Sequence, residues 1–69
     1  MLTTMKPALT PRLYRELAWG MLALFPFATL VTPDGKLTES GRTEFKRALE
    51  MEGYRGTESS MVFYLRSES

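Results

Sequence analysis

Sixty-nine residues with a formal net charge of +1, no cysteine and no histidine make one small domain without disulfides or the thiolate and imidazole ligands on which zinc, copper and iron sites depend. The same absences remove the usual general base near neutral pH and the best soft nucleophile. The interspersed charges lack the basic excess of a dedicated nucleic-acid or membrane-surface binder. A chain of this size buries only about 60% of its unfolded surface, so with neither disulfide nor metal it is expected to rely on a second subunit or a partner.

Residues 1–9 show no periodicity and include Pro7, which reads as a flexible N-terminal arm ahead of a single domain over 10–66 and a tail over 67–69. Thr10-Pro11 is a helix start: threonine caps, proline suits the first helical position, and Leu9 is placed to staple against Tyr14. The helix is expected to run to Leu24 or Phe25, because Pro26 disfavours helical geometry at the residue before it and has no backbone N–H. Its apolar residues form three stripes: Leu13, Leu17, Met21 and Leu24; Tyr14, Ala18, Leu22 and Phe25; Trp19 and Ala23. From Leu17 to Pro33 there is no charge at all. A helix apolar on so many sides is buried on more than one of them. A membrane span is the weaker reading of this run, because it is shorter than the roughly 20 apolar residues a span needs and is interrupted by Gly20, Pro26 and Thr29.

Thr32-Pro33-Asp34-Gly35 has the residue order of a tight turn. With Ala28–Val31 before it and Lys36-Leu37 after it, the segment predicts a short β-hairpin. Asp34-Gly35-Lys36 lacks the remaining ligand spacing of a calcium loop. A second helix is capped by Thr38 or Ser40, stops at Gly53, and turns Phe45, Ala48 and Leu49 inward. Its outer charges, Glu39, Arg42, Lys46 and Glu50, stand at the three- and four-residue spacings that favour opposite signs. Gly53 to Ser60 reads as a loop, and Met61-Val62-Phe63-Tyr64-Leu65 has strand composition. A lone strand needs a partner. The fold expected is thus a small α+β unit, helix, hairpin, helix and C-terminal strand, completed by dimerisation.

The function expected is that of a small, non-enzymatic, cytoplasmic interaction protein: a regulator or inhibitor, of the size seen among phage and mobile-element proteins, that occupies a partner protein's surface and works as a homodimer. No catalytic, cofactor-binding or metal-binding residue is assigned. Trp19, Leu22 and Ala23 are the expected dimer contact. Arg42, Lys46, Arg47, Tyr54 and Arg55 are the expected partner contacts, since tyrosine and arginine bury area while keeping hydrogen bonds. A nucleic-acid-binding regulator with a winged-helix-like unit is the first alternative, built on the same basic residues. It is weakened by Glu39, Glu44, Glu50 and Glu52 on the same helix. A small membrane-associated subunit is the second.

Overall fold

The computed structural model describes residues 5–69. Four helices, α1 (Pro11–Leu24), α2 (Phe27–Leu30), α3 (Glu39–Glu52) and α4 (Glu58–Glu68), make up its regular structure. Thr10 caps α1 by accepting from the Leu13 amide at 3.3 Å, and Pro11 opens the helix. The helix ends where Pro26 forces Phe25 into extended geometry, with the Phe25 amide still bonded to the Met21 carbonyl at 2.9 Å. Thr38 caps α3, accepting from the Gly41 amide at 3.0 Å. Gly53 closes α3 at φ 74° and donates to the Leu49 carbonyl at 2.9 Å.

Two expected β elements are absent among the described residues, which corrects the α+β reading: those residues are 66% helical and form no sheet. In place of the hairpin's first strand there is the single turn α2, which puts Phe27 and Leu30 on one side at a spacing of three. An extended chain would have split that pair across two faces. Leu30 is fully buried and Phe27 packs against the core. Only Val31 and Leu37 form an antiparallel bridge around the turn. The turn itself is as expected, with the Gly35 amide bonded to the Thr32 carbonyl at 3.0 Å and Gly35 at φ 83°.

The second correction concerns Met61–Leu65, which lies inside α4 and is no strand. Thr57 caps this helix, accepting from the Ser60 amide at 3.3 Å. Met61, Val62 and Leu65 are its buried residues, a one-and-four spacing that fits a helix and breaks the alternation of a strand. The ring of Tyr64 stacks on Tyr14 of α1, with centroids 5.1 Å apart and an 8° angle between planes. Tyr14 also accepts from the Thr57 amide through its hydroxyl at 3.1 Å. Farther along, Trp19 donates its indole N–H to Glu68. Residue numbers rise together along these contacts, so α1 and α4 run in the same sense.

The core consists of Tyr14, Ala18, Met21, Leu30, Val31, Leu37, Phe45, Met61, Val62 and Leu65. No described side-chain polar atom is buried without a hydrogen-bond partner. Of the expected arm, residues 1–4 lie outside the described residues. Beyond them, Ala8 pairs with Arg55 in a parallel bridge: the Leu9 amide donates to the Arg55 carbonyl and the Arg55 amide to the Pro7 carbonyl, each at 3.0 Å. No helix among the described residues is long and apolar enough to cross a membrane, because Pro26 divides the uncharged run between α1 and α2.

Two helical glycines differ in what surrounds them. A Cβ added at Gly41 would lie 2.4 Å from the Leu30 carbonyl oxygen, whereas one at Gly20 meets nothing within 4 Å. Gly41→Ala is therefore expected to lower stability by about 1–3 kcal/mol through overpacking. Gly20→Ala is expected to raise it by about 0.5–1 kcal/mol through helix propensity. Chemical denaturation of both variants reads the two opposite signs; a Gly41→Ala protein no less stable than wild type refutes the close approach of α3 to Leu30.

The turn has a pH signature. Asp34 accepts from the Thr32 hydroxyl; that bond first, then its own backbone N–H and the nearby Lys36 charge, hold its carboxyl below the usual carboxylate value. A carboxyl whose pKa is lower folded than unfolded adds stability above its unfolded value, and this is lost as pH falls through the folded value. Because Asp34 is exposed the effect on the melt is small, so its own titration is the sharper readout. An NMR titration should give a midpoint below that of an ordinary aspartate, and Thr32→Val should move it back up.

Candidate protein-docking groove

Between α1 and α3 the surface opens into a groove of about 320 Å³. Leu13 and Leu17 of α1 form one side, a four-residue spacing that stacks them on one face. Ala48, Leu49 and Met51 of α3 form the other. The ends are set by irregular chain. The pairing of residues 7–9 with Arg55 brings Leu9 into the lining, and Tyr54, just past the left-handed turn at Gly53, completes it. Leu9, Leu17 and Leu49 reach the core from beneath, so the groove floor is continuous with the hydrophobic interior. Met51 is 74% exposed on the rim.

Two carboxylates complete the lining, Glu16 from α1 and Glu52 from α3. Glu16 is bonded to the Nε of Arg12 at 3.2 Å. Among the described residues Glu52 has no ion-pair partner. No lysine or arginine lines the groove.

Of the residues expected to contact a partner, Tyr54 alone reaches this groove. Arg42 pairs with Glu58 at 3.3 Å, beside a separate hollow lined by Gly35, Lys36, Ser59 and Val62. Arg47 lies 3.8 Å from Glu44 one turn earlier in α3. Lys46 is exposed on the outer face of α3. Arg55 serves the fold, donating from its Nε to the Lys6 carbonyl at 2.9 Å in addition to its backbone pairing. The basic residues are therefore spread over several faces, and the two arginines on α3 face carboxylates.

The expected dimer contact divides in a similar way. Trp19 is 55% exposed and Ala23 is also exposed, whereas Leu22 is half-buried and packs against the core. Leu13, Leu17 and Met51 of the groove lining are not among the residues expected from the sequence to contact a partner. The stripe containing Leu13 and Leu17 is visible in the sequence, but it resembles any core stripe until the position of α3 is known. No protein-family model matches the chain, and no curated protein or solved structure matches it significantly.

Chemically, the groove offers an apolar floor, an adaptable thioether, a phenol and two carboxylates. There is no cluster of three or more potential metal ligands among the described residues. Such a lining suits the capture of apolar side chains.

Proposed function

We propose that the chain is a non-enzymatic interaction protein, a regulator or inhibitor in the cytoplasm, that docks an apolar element of a partner protein in the groove between α1 and α3. The observation that carries this reading is the groove itself: an open, mostly apolar trough whose leucines are partly buried against the core and whose edge carries the exposed Met51. Exposed Met51 and half-buried Tyr54 supply a flexible contact and an amphipathic anchor.

The working form proposed is a homodimer through the outer stripe of α1, where Trp19 and Ala23 are exposed. Arg15 and Glu68 lie beside Trp19, so this face carries both signs of charge, which suits the self-complementary contact of a two-fold pair.

Binding of a purified partner to wild-type protein and to Met51→Ser and Tyr54→Ala tests the groove. Each variant should weaken the complex by about 1–3 kcal/mol, with Met51→Ser leaving the melting temperature unchanged. Undiminished binding by both variants would falsify the groove as the docking site. Generic DNA and RNA are expected to bind weakly at physiological salt. A submicromolar complex with the steep salt dependence of phosphate contacts, roughly 0.9 logarithmic units per contact, would favour the nucleic-acid reading and the residues Arg42, Lys46, Arg47 and Arg55.

A further inference from the structure

The groove's charge is opposite to that of the chain. The whole protein carries +1, yet the groove is lined by two carboxylates, Glu16 and Glu52, and by no cation. The helix that supplies Glu52 adds to the effect: α3 has no basic residue in its last turn, and its terminal carbonyls present the negative end of the helix dipole there. The nearest compensating cation is Arg12, held on Glu16 by a pair whose arginine side chain is 82% exposed. Surface pairs of this kind contribute little to stability, so an incoming cation can replace or share it at small cost.

From this we infer that the groove's occupant is a short segment of another protein that presents one or two apolar side chains flanked by lysine or arginine. The inference rests on the docking function proposed above and adds the partner's chemistry. Each part of the lining has a counterpart in such a segment. Leu13, Leu17, Ala48 and Leu49 give apolar walls for a side chain of that segment. Ala48 lets the segment approach closely, and Met51 adapts to the shape of the side chain it meets. Flanking lysine or arginine stems lie along apolar walls while their heads reach carboxylates at the edge, here Glu16 from one helix and Glu52 from the other. An acidic segment would meet two like charges and no cation in the lining, and that repulsion selects against it.

The test is a random-sequence peptide display library selected on the full-length protein. Recovered peptides are then titrated against wild type, against Glu16→Gln/Glu52→Gln and against Met51→Ser/Tyr54→Ala, with each variant first shown to be folded by circular dichroism. Recovery of apolar peptides enriched in lysine and arginine is expected. Their affinity should fall roughly tenfold in Glu16→Gln/Glu52→Gln at low salt and fall also in Met51→Ser/Tyr54→Ala. Peptides that depend on Met51 and Tyr54 but show no basic excess, and bind Glu16→Gln/Glu52→Gln as well as wild type, overturn the charge preference and leave the docking groove standing. Recovery of no peptide, or only of peptides indifferent to Met51→Ser/Tyr54→Ala, overturns both.

Discussion

Phe45→Ala is expected to leave most of the protein unfolded at body temperature. Phe45 is 1% exposed at the centre of the core, and its ring tip approaches the backbone at Gly56 near Tyr14 and Leu9. Truncating such a phenylalanine costs about 3–5 kcal/mol. A 69-residue domain has a total stability of only about 3–10 kcal/mol, so the loss is comparable with the whole. Each kcal/mol moves the melting temperature of so small a domain by about 4–8 °C. The control is Phe63→Ala: Phe63 is 62% exposed on α4, and its truncation should stay within about 0.5 kcal/mol. Thermal melts of the two variants by circular dichroism decide the matter. Equal losses would mean that α4 is turned the other way about its axis.

A second large effect is expected on the first helix, where neighbouring apolar positions have different fates. Leu22→Asp should cost about 2–5 kcal/mol, because a side chain packed against the core is replaced by a charge without a partner. Trp19→Glu should leave a folded chain, because the indole is mostly outside and only its bond to Glu68 is lost. In the proposed homodimer the same change should halve the mass measured by light scattering. A Trp19→Glu protein that keeps the wild-type mass removes Trp19 from the dimer contact. A wild-type mass equal to one chain ends the homodimer proposal.

The contrast between Trp19 and Leu22 shows where sequence reading stops. Both belong to the uncharged run, and hydropathy alone treats them alike. What separates them is the direction from which α4 and α3 approach α1, and that is set by contacts between residues far apart in the chain. The same holds for Arg55. As an exposed arginine beside a tyrosine it resembles an interface anchor, but its backbone and guanidinium are bonded to residues 6–9. No local pattern announces a pairing across so long a stretch of chain.

Features governed by a few adjacent residues were determined by the sequence itself: the cap at Thr10, the stop before Pro26, the turn over Thr32–Gly35, a cap at Thr38 or Ser40, of which the structure uses Thr38, and the left-handed close at Gly53. Each rests on a side-chain hydrogen bond or a backbone restriction spanning at most four residues, so each is legible without knowing the rest of the fold. The fates of Ala28–Val31 and Met61–Leu65 were decided only by the tertiary structure. Both have strand composition, yet no open sheet edge is present among the described residues to pair with them. As helices they satisfy their own backbone groups while Leu30, Met61 and Leu65 fill the core and Tyr64 stacks on Tyr14. The groove belongs to the same level. Its leucines and carboxylates are plain in the sequence, but they share one lining only because the fold brings α1, the end of α3 and Leu9 together.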